Sequence, residues 1–371
     1  MGEPQKICFV ASSNYQVMMA YFIQIYLKQE CYIISYSINE RVNKLAEELF
    51  TAERSLLLPR VKKDLKSLLW DNRKIFRKAS DFTRNLAPEK VIVFKDNDFM
   101  NACIIEESVK SKAKIMMLQE GLGIYTKHRI NFKRKMIQWA LSFIGYPKIY
   151  SDMQAMHPAV KWIAINDEGE FPEYKKTGRT IVPLPAGLPP SKYLASLADA
   201  VDIRLDDVPR YEKSILFLGQ PLSEINLVDK DIEIRYLERV FKIIKENFTL
   251  FVKPHPSEDL SKYTDLQNVH VFNESAPAEL LPAFFPFTAV VSSSSSAGDN
   301  MALAFQLPAF YLHHLTIKKR LDYEKKMNGT FIYSYEQLKT ELSVLKERTG
   351  ERNIADGDIS YQRFASQILN Y

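Results

Sequence analysis

Three short clusters in the chain carry side chains that can move a proton or hold an anion. Glu120 stands in Gln119-Glu120-Gly121-Leu122-Gly123-Ile124-Tyr125, directly after the apolar run Ile115 to Leu118. His255 stands in Lys253-Pro254-His255-Pro256, at the end of the run that opens at Thr249. Five serines, Ser292, Ser293, Ser294, Ser295 and Ser296, follow Thr288 to Val291 and lead into Ala297-Gly298-Asp299. A carboxylate can take a proton from a hydroxyl, and an imidazole can donate to a departing oxygen. Hydroxyls ahead of a helix N-terminus suit a phosphate or a carboxylate. Ligands of open α/β sheets bind beyond the carboxyl ends of the strands, so three such clusters after strand-like runs point to binding loops. Gly121 and Gly123 would let a substrate approach the backbone closely.

Each cluster also has a structural reading. Glu120 could cap a loop, His255 could be a packed histidine, and the serines could form a flexible linker. The prolines around His255 fix the backbone into a rigid pedestal. Apolar residues on both sides of the serines, Ala289 to Val291 and Met301 to Leu303, favour a strand-to-helix turn over a linker. The expected helix runs from Asn300 through Phe305.

The elements that must position these loops alternate between strand and helix. Expected strands are Ile7 to Ala11, Cys31 to Ile38, Leu56 to Leu58, Val91 to Phe94 and Ile115 to Leu118. Expected helices between them are Tyr15 to Lys28, Arg41 to Phe50, Val61 to Ala79 and Phe99 to Lys110. This alternation predicts a mostly parallel sheet covered on both faces. Short strands separated by turns follow from Lys148 to Val182. Pro183, Pro185, Gly187, Pro189 and Pro190 then crowd one stretch and mark a linker.

A second α/β series opens at Ser214. Ile215 to Leu218 reads as a strand that ends in the turn Gly219-Gln220. Ile232, Tyr236, Leu237, Val240, Phe241 and Ile244 recur at helical spacing, which predicts a helix from Asp231 to Glu246. Later expectations are strands at Val269 to Phe272 and Ala309 to Leu312, and helices at Ala278 to Phe285, Tyr335 to Arg348 and Tyr361 to Leu369. The division is residues 1–185 as a first domain, 186–213 as a linker and 214–371 as a second domain, with the last helix able to cross back.

Composition narrows the function. The chain has 371 residues, 46% of them hydrophobic, enough for two cores. Lys plus Arg number 50 against 45 Asp plus Glu, a formal charge of +5 that does not call for a nucleic-acid partner. Cys8, Cys31 and Cys103 are far apart in apolar runs and read as buried thiols of a reducing compartment. The N-terminus lacks the apolar region of a signal peptide, and no run of about 18 apolar residues exists. The expectation is a cytoplasmic protein, either free or peripheral to the inner face of the cell membrane.

Glu120-Gly121, Lys253-Pro254-His255-Pro256 and the serine run resemble, in that order, the acidic-residue-glycine, His-Pro and Ser-rich motifs of bacterial sialyltransferases. The similar groups are the capsular polysialyltransferases and lipooligosaccharide sialyltransferases of GT-B fold. Motif order and architecture carry the likeness over roughly residues 1 to 310. Many relatives carry Asp in the first motif, where Glu120 reaches one methylene further.

The resemblance implies two Rossmann-like domains facing a central cleft and an inverting, metal-independent transfer from CMP-sialic acid to a hydroxyl of a surface glycan. It assigns Glu120 as general base and His255 as the group assisting the CMP leaving group. Donor contacts fall to Gly219, Gln220, Lys253, Pro256 and Ser292 to Ser296, and acceptor contacts to Gly121, Gly123 and Tyr125. No cofactor is implied beyond the donor substrate. The competing functions are a CMP-Kdo or CDP-glycerol dependent transferase of surface polymers and, in another class, a non-catalytic glycan-binding protein.

Two further stretches need weighing. Asp96-Asn97-Asp98 has the D-x-D pattern that GT-A transferases use for a metal, although Asp98 also fits a helix N-cap. Lys127-His128-Arg129 and Lys133-Arg134-Lys135 precede an aromatic helical stretch from Met136 to Ile144 with Trp139 and Phe143. Such a segment can rest on an anionic membrane or hold an acidic acceptor. The expectation adopted is a lid helix whose apolar side packs on the sheet.

Overall fold

The computed structural model describes the chain except residues 1–3, 38–39, 62–66, 68–70, 126–131, 152, 170, 186–190, 201–212, 265–268, 273–275, 318–323, 325–326 and 348–356. It divides into two compact units, residues 1–185 with 359–371, and residues 186–358.

The first unit runs β1 (Lys6–Ala11), α1 (Asn14–Leu27), β2 (Glu30–Ser37), α2 (Glu40–Phe50), β3 (Ser55–Pro59), α3 (Asn72–Leu86), β4 (Lys90–Val93), α4 (Phe99–Lys110), β5 (Lys114–Leu118), α5 (Phe132–Phe143), β6 (Val160–Ile165), α6 (Glu173–Lys176) and β7 (Thr180–Pro183). Its seven strands are parallel in the order β3-β2-β1-β4-β5-β6-β7. Every residue of β4 is buried, as are Ile115 to Leu118 of β5. That is the continuous apolar signature of strands covered on both faces.

The second unit runs α7 (Ser191–Ala200), β8 (Ser214–Leu218), α8 (Lys230–Lys245), β9 (Thr249–Lys253), α9 (Ser261–Thr264), β10 (His270–Val271), α10 (Leu281–Phe284), β11 (Ala289–Ser292), α11 (Ser296–Phe305), β12 (Ala309–Tyr311), β13 (Thr330–Phe331) and α12 (Tyr335–Glu347). Its six strands are also parallel, in the order β10-β9-β8-β11-β12-β13. Tyr236, Leu237, Val240, Phe241 and Ile244 of α8 pack with Ile215, Phe217, Leu250 and Val291 in one core.

The last helix, α13 (Asp358–Asn370), packs on the first unit. Its Tyr361 meets Phe22 edge-on at 6.0 Å, and Phe364 lies 5.6 Å from Trp162. The Lys90 ammonium donates to the carbonyls of Ile368 and Leu369, at 2.7 Å each. A cation there answers carbonyls of the last turn that lack helical partners, at the negative end of the helix.

Several expected boundaries move. Of the helix expected over Val61 to Ala79, residues 62–66 and 68–70 lie outside the described residues; its C-terminal end runs past Ala79, because the buried series Phe76, Ala79, Thr83, Leu86 carries α3 on to Leu86. Ala87 then turns left-handed at φ 47°, and Pro88 cannot continue the helix. The single helix expected over Ala278 to Phe285 is a 3₁₀ turn, Ala278–Leu280, followed by α10, which has Pro282 in its first turn. Within the stretch taken as linker, Ser191–Ala200 is helical.

The lid expectation for the basic aromatic stretch fails. In α5, Met136, Ile137, Trp139 and Phe143 are all exposed rather than packed on the sheet. Lys127, His128 and Arg129 lie outside the described residues. Among the described residues, no helix is long and apolar enough to cross a membrane.

Candidate active site

Each of the two sheets has a switch point, where the strand order reverses and neighbouring loops diverge to leave a crevice. In the first unit it lies between β1 and β4, and in the second between β8 and β11. The three motif clusters occupy the carboxyl edges of these sheets.

Glu120 follows β5 and is half-buried. The Ser13 hydroxyl, from the turn after β1, donates to its Oε1 at 2.9 Å. Ser13 also caps α1 by accepting the Gln16 N–H, so one short turn fixes both a helix start and the carboxylate. Next door, Gln119 is buried, and its Oε1 accepts the Tyr125 hydroxyl at 2.8 Å and the Asn166 N–H at 2.8 Å. Tyr125 in turn accepts the Asp167 N–H at 3.0 Å, and the buried Lys175 ammonium donates to the Ile124 carbonyl at 2.6 Å. These bonds hold the loop from both sides of Gly121. Tyr125, expected on the acceptor side, is 4% exposed with its hydroxyl engaged in the loop, so it shapes the site from beneath.

His255 follows β9. Its Nδ1 accepts the Ser257 N–H at 3.1 Å, which in the neutral ring leaves the proton on Nε2, free to donate outward. The residue as a whole is exposed, yet partial desolvation of the ring lowers its pKa below the ordinary histidine value, against the pull of Glu224. The neutral form is therefore favoured near neutral pH.

Beneath this loop lies a charge cluster that the sequence did not reveal. The Glu258 carboxylate accepts the His255 N–H at 2.6 Å and the Tyr263 hydroxyl at 2.8 Å. The Lys262 side chain, 1% exposed, reaches Glu233 at 2.7 Å, Glu224 at 2.9 Å and Glu258 at 3.5 Å. Desolvation pulls the Lys262 pKa down, but the hydrogen bonds to Glu224 and Glu233 outweigh it and the net shift is upward. Burial raises the Glu258 pKa. The only local trace in the sequence is Glu258 and Lys262 at i, i+4 spacing.

Gly219 and Gln220 leave β8 between the other two loops. A Cβ at Gly219 would stand 2.1 Å from Glu258 Oε2 and 2.5 Å from the Tyr263 hydroxyl, so any larger residue there would have to displace one or both. Gln220 Oε1 accepts the Ser294 N–H at 2.9 Å, bridging the switch point from β8 to the serine loop. Lys253 ends β9 half-buried, and Pro256 is exposed beside His255.

The five serines divide by role. Ser292 and Ser293 are buried, and the Ser292 hydroxyl accepts the Ser295 N–H at 3.2 Å. Ser295 is the N-cap of α11, accepting from Ala297 N–H at 3.2 Å. The helix thus starts at Ser296, four residues before the expected Asn300, because the serine caps rather than precedes it. Ser294, Ser295 and Ser296 are half-exposed and present hydroxyls at the helix start, whereas Ser292 braces the turn from inside. The Ser293 hydroxyl is buried with no hydrogen-bond partner among the described residues.

The rival D-x-D pattern is occupied structurally. Asp96 is buried, and its carboxylate accepts the backbone N–H groups of Ala155, Met156 and His157 at 2.8, 2.7 and 2.6 Å. Asp98 caps α4 through the Asn101 N–H at 2.9 Å and accepts the Tyr36 hydroxyl at 2.7 Å. Asp96 is closed off by these bonds, while Asp98 is half-buried and also pairs with Lys95 at 3.3 Å.

Residues 7–314 match the family model described as alpha-2,8-polysialyltransferase (POLYST). The chain belongs to that family. Among curated proteins, none matches it in sequence. Solved structures similar to this polysialyltransferase-family chain include a putative UDP-N-acetylglucosamine 2-epimerase from Listeria monocytogenes, at 12% identity and TM-score 0.57 over 99% of this chain and 96% of that one. The spinosyn forosaminyltransferase SpnP matches at 12% identity and TM-score 0.53, over 100% of this chain and 94% of that one. UDP-GlcNAc 2-epimerase from Neisseria meningitidis, bound to UDP-GlcNAc, matches at 12% identity and TM-score 0.55, over 99% and 100%. At such identities the likeness establishes the GT-B fold alone, a scaffold shared by epimerases and transferases. The family match is what marks this chain as a glycosyltransferase of sialyltransferase type.

Proposed function

We propose that this protein transfers sialic acid from CMP-sialic acid to a hydroxyl of a cell-surface glycan, with inversion at the anomeric carbon and without a metal. The acceptor is a capsular or lipooligosaccharide chain, met in the cytoplasm at the inner face of the cell membrane. The observation that carries this reading is the family match together with the placement of its three motifs, each directly after a parallel strand: Glu120 after β5, His255 after β9 and the serines after β11.

In this mechanism Glu120, steadied by Ser13, takes the proton from the acceptor hydroxyl as its oxygen bonds to the anomeric carbon. The bond from that carbon to the CMP phosphate oxygen breaks, and the electron pair leaves with CMP. His255 donates from Nε2 to the phosphate as its charge grows. CMP is already a good leaving group, so hydrogen bonding to the developing charge contributes more than full proton transfer. The hydroxyls of Ser294 to Ser296, at the positive end of α11, hold the same phosphate or the sialic acid carboxylate. Gly219, Gln220, Lys253 and Pro256 line the donor side, and Gly121 and Gly123 the acceptor side.

The test is a donor screen. CMP-sialic acid, CMP-Kdo and CDP-glycerol are each incubated with the protein and a panel of sialylated and neutral oligosaccharides; CMP is released from all three, so the transferred group is identified by product mass. The expected outcome is a mass gain of one or more sialic acid residues from CMP-sialic acid. A gain from CMP-Kdo or CDP-glycerol alone would replace the donor, and no turnover with binding to glycan would leave a lectin-like protein.

A further inference from the structure

Helix α5 has no part in the catalytic reading. Four large apolar side chains of α5 stand in solvent: Met136 at 48% exposure, Ile137 at 51%, Trp139 at 59% and Phe143 at 71%. Trp139 and Phe143, one turn apart, meet edge to face with ring centroids 4.6 Å apart. Leaving so much contiguous apolar surface in water is unfavourable, and such patches usually mark a partner surface.

Charge identifies the partner. The segment just beyond α5 is pinned to α3: Tyr146 is buried against Phe76 at 5.2 Å, accepts from Asn72 at 3.0 Å, and Arg73 donates to the Ile144 carbonyl. From this junction α3 presents Arg73, Lys74, Arg77 and Lys78, all exposed, at the i, i+1, i+4, i+5 spacing that forms one stripe. Asp81 is the one carboxylate within α3, and it is paired with Arg84 at 3.2 Å. The sequence of α5 has Lys133, Arg134 and Lys135 in its first turn and no acidic residue.

We propose that α5 and the cationic stripe of α3 form a docking surface for an anionic lipid bilayer, with Trp139 and Phe143 entering the headgroup boundary. Aromatic rings with basic side chains beside them suit that boundary, where the rings leave water and the cations meet lipid phosphates. Each basic residue near an anionic leaflet adds to the attraction, and the aggregate falls with salt. A second copy of the chain fits less well, since a symmetric contact through this face would bring two basic stripes together. The inference goes beyond the transfer reaction and does not depend on which donor is used.

The experiment sediments the full-length protein with vesicles of phosphatidylcholine alone or mixed with phosphatidylglycerol. Expected are pelleting with the mixed vesicles only, its loss at high salt, and a blue shift of tryptophan emission on binding. Phe143→Glu and the pair Arg77→Glu with Lys78→Glu, which leaves the Arg73 contact to Ile144 in place, should each weaken association by about tenfold or more. Because these side chains are exposed, an unchanged melting temperature and unchanged turnover on a soluble oligosaccharide would confirm that the variants fold. Absence of pelleting with mixed vesicles, or equal pelleting of variants and wild type, overturns the proposal. A concentration-dependent dimer that Phe143→Glu dissociates, with no vesicle binding, would also overturn it and assign the face to self-association.

Discussion

The Glu258 carboxylate receives the backbone N–H of His255 at 2.6 Å, so the rigid proline-flanked loop is anchored by an acid three residues downstream. The same carboxylate is hemmed in by Gly219 on one side and the Tyr263 hydroxyl on the other. Gly219→Ala would force Glu258 away and release that anchor. The expected result is a fall in turnover of about tenfold or more, since small misplacements of catalytic groups are costly. Glu258→Gln keeps the shape and one acceptor oxygen, so its loss should be smaller. Steady-state kinetics on both variants, with circular dichroism to confirm folding, checks the order. Equal, near-wild-type rates would show that the loop does not need its anchor.

Glu120 and Ser13 make a graded pair. Glu120→Gln keeps the Ser13 contact but cannot take a proton, and turnover should fall on the order of 100-fold or more. Ser13→Ala removes one hydrogen bond to the carboxylate, worth about 1 kcal/mol, so roughly a fivefold loss is expected. A Ser13→Ala defect as large as that of Glu120→Gln would mean that the hydroxyl, not the carboxylate, carries the chemistry.

Much of this was legible because parallel strands buried on both faces announce themselves as apolar runs, and the motif loops sit where those runs stop. Ser296 was harder: serine is a weak helix former, so a helix that starts within five serines hides its own beginning. The Lys262 cluster was out of reach, since Glu224, Glu233 and the segment from Glu258 to Lys262 come from three separate stretches that meet only on folding. For α5, periodicity showed an apolar side but not what that side faces, and the structure turns it to solvent. The crossing of α13 to the first unit rests on contacts such as Phe22 with Tyr361, which no local pattern encodes.

The engagement of Asp96 bears on metals. With three backbone N–H groups on its carboxylate, Asp96→Asn should cost stability, about 1 to 3 kcal/mol, by weakening charge-assisted bonds. It should leave turnover at low temperature close to wild type. Activity is likewise expected to survive EDTA. Thermal melts and an assay with and without chelator check both, and a loss in EDTA that manganese or magnesium restores would move the metal question back to this loop.

His157 is one source of acid sensitivity in the fold. Its ring is buried against Tyr150, 4.5 Å away, and burial first, then the charge of Arg179, lowers its pKa to about 4. In the unfolded chain the same ring titrates near 6.5, so between those values the unfolded state binds the extra proton. Stability from this group is therefore complete above about pH 6.5 and is lost as pH falls towards about 4. The loss integrates to on the order of 2 to 3 kcal/mol. Replacing the imidazole by a side chain that does not titrate removes the term, so His157→Gln should flatten the melting temperature between about pH 6.5 and 4, whatever it costs at neutral pH. Urea melts of both proteins across that range give the comparison, and parallel pH profiles would show that His157 is not the residue that gains the proton.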